Sequence, residues 1–331
     1  MRRRFGTAAR CVATAAVLAL GLAGCAEAVD PLPPVGAAVD QARPLGVQDP
    51  AEIPSAAASA APDCEARASF RPPASMPKPG AMPAGSTMSR IAKRGRLIVG
   101  VDQNSYRFGF RDPLTGELTG FDVDVAREVA RAIFGDPSKI QFRATNSAAR
   151  IPSLQDRSVD LVVQTMTMNC ERWQQVSFST EYFDAGQRIL VRRGSSVRSI
   201  ADLGGQKVCA TIGSTSIRAV AAAPAKPLPV AVPDWTDCLV MLQQGQIAAI
   251  STDDSILAGL AAQDPNTAVV GPRFTEEPYG IGVNRADTDL VRFVNGVLAR
   301  MRTDGTWARL YNRWLTALGP APQPPAARYR D

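Results

Sequence analysis

Histidine is missing from all 331 residues. Without an imidazole, zinc sites lose a usual ligand and acid–base chemistry would fall to a carboxylate of raised pKa. No Glu stands isolated for that task. Glu171 and Glu181 read as structural, so no catalytic residue, cofactor or metal is expected. Aromatic residues are scarce (6%) while hydrophobic residues reach 45%, enough for roughly two domains with full cores. Beyond Leu22 no apolar run is long enough to cross a bilayer. An excess of positive charge is missing too. Arg2, Arg3, Arg4 and Arg10 supply most of it, and without residues 1–24 the chain holds 33 basic and 31 acidic residues. No basic stripe remains to argue for nucleic acid.

What is present at the N-terminus sets the compartment. The four arginines precede a short apolar run, Val12 to Leu22, and then Leu22-Ala23-Gly24-Cys25. A basic start, a run too short to span and a small-residue cleavage site describe an export signal over 1–24. The last four residues resemble the bacterial lipobox, which implies a lipid on Cys25 and a protein anchored to the extracytoplasmic face of the cell membrane. Residues 25–88 are rich in Ala and Pro and read as a tether without a packed core. Cys64, Cys170, Cys209 and Cys238 remain, with no zinc-type spacing. An even number in an oxidising compartment makes two disulfides plausible, in any of three pairings, with free thiols as the alternative. Cys209 ends one strand pattern and Cys238 lies in the next helix pattern, so Cys209–Cys238 is preferred, leaving Cys64–Cys170.

From Ser89 onward, strands alternate with helices. Leu97 to Val101 reads as a buried strand, and Val125, Val129 and Ile133 mark one face of a helix that stops at Gly135. Arg188 to Arg192 reads as the strand leaving the first lobe. Lys207 to Ala210 and Ile247 to Ile250 are strands of a second lobe, and two amphipathic helices end the domain. The pattern predicts an α/β protein of open, mostly parallel sheets in two lobes. Lobe 1 would be 89–190 and 276–318, and lobe 2 would be 191–275. Two crossings then leave a ligand cleft at the hinge, with 319–331 a flexible, Pro-rich tail.

The chain is organised around Gln164 to Arg172, where a short strand runs into Thr165, Thr167 and then Arg172. A guanidinium can grip a carboxylate through two parallel hydrogen bonds, and hydroxyls fill the remaining lone pairs. The bland alternative is a surface Arg172 paired with Glu171. Several segments in order now carry a resemblance: Leu97 to Asp102, Gly120 to Asp124, Arg150 to Gln155, Thr167 to Arg172 followed by Phe178-Ser179, Ala201 to Gly205, Gly213 to Ser216, Thr252 to Gly259, and Asp304 to Trp307 with Trp314. Together they resemble the extracytoplasmic amino-acid-binding proteins of solute-binding family 3, which feed polar amino-acid ABC importers. The Arg150 to Gln155 segment is similar to the glutamate/aspartate branch.

That resemblance implies a periplasmic-binding-protein fold of type II and a set of site roles. Arg172 would hold the ligand's α-carboxylate with Thr167, Thr165 and the loop at Gly213 to Thr215, which includes Ser214 and opens a helix whose N-terminus favours an anion, with Thr211 also in the ligand set. Asp253 would take the α-ammonium; its alternative is a plain helix cap. Arg150, with Ser147 one turn earlier, would hold a distal carboxylate, or else pair with Asp156 at the surface. Arg150, Arg172 and Asp253 sum to +1, which a glutamate neutralises. Asp102 facing the ligand would favour an amide unless Arg107 neutralises it. Trp235 and Tyr106 would cover methylenes, whereas Phe108 reads as core. The implied ligands are glutamate and aspartate, extending to asparagine and glutamine. The implied partners are importer permease subunits or, alternatively, a membrane signalling protein, with the chain a monomer. A third alternative is an enzyme on the same fold, a dehydratase or a wall-cleaving transglycosylase.

Overall fold

The computed structural model describes residues 42–53 and 64–331. The export signal, Cys25 and most of the first half of the tether lie outside the described residues.

Two five-stranded sheets form the centres of the two lobes. In lobe 1, Leu97–Val101 lies between Ile140–Ala144 and Leu161–Val162, parallel to both, and Gly282–Asn284 and Val176–Phe178 complete the sheet with antiparallel pairings. In lobe 2, Lys207–Thr211 lies between Leu228–Val232 and Ala249–Asp253, again in parallel, followed by Gln187–Arg192 and Thr267–Val270 in antiparallel register. The sheets are thus mixed. Each takes one strand from the crossing chain, which runs against the parallel set.

The helix Phe121–Phe134 carries Val125, Val129 and Ile133 into the lobe 1 core, all fully buried, and ends on Gly135 at φ 76°. That conformation suits a residue without a Cβ and satisfies the last carbonyls.

Two short antiparallel strands, Phe183–Ala185 and Glu277–Tyr279, carry the chain between the lobes. The lobe boundary therefore falls near Gly186, four residues before the position expected from sequence, and Gln187–Arg192 belongs wholly to lobe 2. The apolar run at 189–191 holds no information about which sheet it joins. Close approach of the two crossings marks the true boundary: a Cβ on Gly186 would lie 2.7 Å from the Thr275 carbonyl oxygen.

The described parts of 25–88 depart from a core-less tether. Val47, Ala51 and Ile53 pack on the lobe 2 core, and Gln48 bridges to Ala231 on the edge strand. Further on, Ala68–Ser69 pairs in parallel with Arg328–Tyr329, so residues 319–331 are also not a free tail. Arg330 lies over the Trp173 ring at 3.8 Å and donates to the Ala68 carbonyl. A few apolar anchors and backbone pairing replace the bulk that the composition lacks. Cys64–Cys170 and Cys209–Cys238 are both disulfides, the first fastening the N-terminal segment to the helix Cys170–Trp173 that bears Arg172. Closing loops of 106 and 29 residues stabilises by about 3–5 kcal/mol each on chain-entropy grounds.

Candidate functional site

The strand Leu161–Val162 of the lobe 1 sheet leads to a sharp turn at Thr165. Thr165 has φ 39°, an outlying conformation for a β-branched residue. Its N–H donates to Asp122 Oδ2 at 2.9 Å and its carbonyl accepts from Arg150 at 3.4 Å. Those contacts hold a strained turn in place between the lobes.

Ser147, Arg150, Thr165 and Thr167 from lobe 1 meet Ser214, Trp235 and Asp253 from lobe 2 around one small, tightly closed space. Arg172 and Gly213 line an adjoining depression at the cleft mouth that Ser147 and Arg150 share. Both guanidiniums are buried, each about 4% exposed, and their hydrogen bonds go to backbone carbonyls. Arg172 donates to Thr167 O at 2.8 Å and, across the cleft, to Gly213 O at 3.3 Å. Arg150 donates to Ser147 O and Gln164 O, both at 3.1 Å. Neither makes an ion pair among the described residues. Glu171 instead pairs with Arg218 of lobe 2 at 2.7 Å, and Asp156 accepts from the Ser158 N–H, so both surface-pair alternatives fall away.

Asp253 occupies the cap position of the helix Asp254–Gln263, yet its side chain makes no capping bond. Oδ2 accepts from the Tyr279 hydroxyl at 2.6 Å, while Oδ1 is buried with no partner among the described residues. A buried carboxylate oxygen left unpaired is costly, so this one is poised for a donor. Ser214 caps the helix Thr215–Ala222 by accepting from Ile217 N, and Thr211 donates across the lobes to the Ser147 hydroxyl at 3.2 Å.

Asp102 stands outside the cavity lining. Its two oxygens accept from Asn104 N and the Ser105 hydroxyl, closing its own turn. Arg107 does not neutralise it. That guanidinium lies beside the Tyr106 ring at 5.4 Å, and Tyr106 itself packs edge-on against Phe110. Phe108 is core, 1% exposed. Two residues that sequence reasoning missed are Tyr279 and Glu277, both on the returning hinge strand. Glu277 is buried and accepts from the Thr167 hydroxyl at 2.6 Å. Nothing in the local pattern Glu276-Glu277-Pro278-Tyr279 signals either role.

Burial dominates the electrostatics. It lowers Arg172 to about 9, with the charges of Arg150 and Arg218 acting in the same direction. Arg150 is lowered by burial, against the pull of Asp102 and Asp253. Asp253 is pushed well above the carboxylate range by burial and then by the Glu277 charge. Burial likewise raises Asp122 to about 7. A carboxyl whose folded pKa exceeds its unfolded value stabilises below the unfolded pKa, near 3.9, and loses that contribution as pH rises through the folded value. Exposed carboxylates with lowered pKa, such as Asp202 and Asp136, act in the opposite sense only below about pH 4. The ligand-free protein is therefore expected to melt several degrees higher near pH 5 than near pH 8. Scanning calorimetry across that range checks it, and a flat or rising profile would contradict the assignment.

Residues 97–317 match the bacterial extracellular solute-binding proteins, family 3. The chain belongs to this family. It is 37% identical to the ABC transporter glutamine-binding protein GlnH of Bacillus subtilis (strain 168), over 69% of this chain and 84% of that one. It is 28% identical to a glutamate/aspartate import solute-binding protein of Salmonella typhimurium, over 71% and 81%. Among solved structures, an ancestral arginine-binding protein bound to glutamine aligns with a TM-score of 0.63 at 35% identity, over 67% of this chain and 98% of that one. Holo ArgBP from T. maritima aligns at 0.62 and 32%, over 68% and 98%. These relatives are solute-binding proteins and not enzymes, and the enzyme alternative is set aside. Among the described residues no helix is long and apolar enough to cross a membrane.

Proposed function

We propose that this chain captures a free polar amino acid between its lobes and delivers it to an ABC importer, held at the extracytoplasmic membrane face by a lipid on Cys25. Arg172 takes the α-carboxylate, which replaces the long bond to Gly213 O. Asp253 takes the α-ammonium through Oδ1, and Arg150 donates to the side-chain oxygen. The observation that carries this reading is Asp253 Oδ1, without a partner among the described residues, in a cleft with two buried guanidiniums that make no ion pair among them.

Glu277 changes the charge sum made from sequence. Once a bound ammonium ionises Asp253, Arg150 and Arg172 against Asp253 and Glu277 leave the cleft neutral, so a zwitterion with an uncharged side chain keeps it neutral, whereas glutamate adds an unbalanced charge. Glutamine or asparagine is thus favoured over glutamate or aspartate, in keeping with the glutamine-binding protein of B. subtilis. Calorimetry of the purified protein against the twenty amino acids is expected to give heat with glutamine or asparagine at roughly micromolar affinity, about −8 kcal/mol. Silence with these and with both acids would reject the proposal. For the anchor, Cys25→Ser is expected to move the protein from the membrane fraction to the soluble one; retention on the membrane would rule the lipid out.

A further inference from the structure

Glu277 is outside the cavity lining, yet it lies directly behind two hydroxyls that line it. Its Oε2 accepts from Thr167 at 2.6 Å and from Thr215 at 2.9 Å, and Oε1 accepts from Thr275 at 2.7 Å. Thr167 belongs to lobe 1 and Thr215 opens a helix of lobe 2, while Glu277 begins the hinge strand between them. One carboxylate oxygen therefore joins both lobes.

A hydroxyl has one proton and two acceptor lone pairs. With both protons directed to Glu277, the threonine oxygens offer only lone pairs to the cavity. They line the same space as Asp253, whose Oδ1 has no partner among the described residues and is also an acceptor when ionised. Three acceptors from three segments then line one space, with the Arg150 guanidinium on its border. Resting on the reading of the ligand as an amino acid, we infer that Glu277 is a positioning residue for ammonium recognition. It orients the hydroxyls of Thr167 and Thr215 as acceptors, which moves the Thr167 hydroxyl from the α-carboxylate implied by the resemblance to the ammonium, and it does so only when the cleft is shut, because Thr215 leaves with lobe 2 on opening. The residue accordingly acts on dissociation and leaves association alone.

Binding kinetics with glutamine as the probe test this in Glu277→Gln. The replacement is isosteric, and its amide N–H can donate to a threonine oxygen, which turns hydroxyl protons toward the ligand. Dissociation is expected to quicken and Kd to rise about tenfold or more, with the association rate within about threefold of native. A merely structural role is tested with Thr275→Val, which loosens the other carboxylate oxygen without touching the cavity and is expected to leave Kd nearly unchanged. Equal Kd for native and Glu277→Gln overturns the inference. So does a loss carried by association, or an equal loss in Thr275→Val. Should Glu277→Gln fail to fold, Thr215→Val removes one acceptor and retains the carboxylate; unaltered dissociation there overturns the inference as well. A native protein that binds none of the twenty amino acids refutes the amino-acid reading itself, whereas a native binder with an indifferent Glu277→Gln refutes only the role of Glu277.

Discussion

Arg172→Met is expected to weaken amino-acid binding by about a thousandfold, roughly 4 kcal/mol, while the ligand-free protein melts at the native temperature or above it. Both parts follow from one arrangement. The guanidinium is 4% exposed, held by two carbonyls, and without an acid partner among the described residues. Its desolvation is uncompensated until a carboxylate arrives, and the lowering of its pKa to about 9 expresses the same strain. Methionine keeps most of the packing volume and removes the charge, so the empty protein loses two hydrogen bonds but sheds a buried, unpaired cation. With ligand the balance reverses, because the substrate carboxylate is left buried without its partner. Calorimetry and thermal melting of one preparation give both readings. Binding within about threefold of native would show that Arg172 does not hold the ligand, whatever the melting temperature does.

Gly213→Ala is expected to cost about a hundredfold in affinity, near 3 kcal/mol, by obstructing closure. Gly213 has φ 76°, a region that a Cβ disfavours by roughly 1–2 kcal/mol. The larger effect is across the cleft. An added Cβ would lie 2.8 Å from Ala148 Cα and 3.1 Å from Ala148 N, both backbone atoms of the opposite lobe. Backbone cannot rotate aside as a long side chain can, and the lobes must stand further apart. The Arg172 to Gly213 bond and the Arg218–Glu171 pair would then lengthen with the gap. In the open form the same Cβ meets nothing from lobe 1, so ligand-free stability should fall only by the local backbone cost. Small-angle scattering with and without saturating glutamine separates the two effects. A variant that compacts with ligand as the native protein does would show that this loop does not limit closure.

Both predictions start from residues whose place in the site was legible in the chain itself. Thr165, Thr167 and Arg172 lie within one short stretch, and a strand that ends in hydroxyls and a guanidinium carries its chemistry locally. The helix Phe121–Phe134 was legible for the same reason, since Val125, Val129 and Ile133 recur at the spacing of one helical face. Residue type at a strand end did not reveal that the Asp102 carboxylate closes its own turn onto Asn104 and Ser105.

The amino-acid order alone determined the two-lobed α/β architecture, the family and most of the cleft's charged groups, because periodicity and short motifs are properties of neighbouring residues. Tertiary structure decided everything that joins distant segments through groups every residue has or through a single side chain. The pairing of Ala68–Ser69 with Arg328–Tyr329 is made by backbone amides and leaves no side-chain pattern to read. Glu277 meets Thr167 across 110 residues, and nothing near either one encodes the other. Its carboxylate gains a role only when folding brings the hinge strand behind both lobes, and that contact alters the charge balance of the cleft.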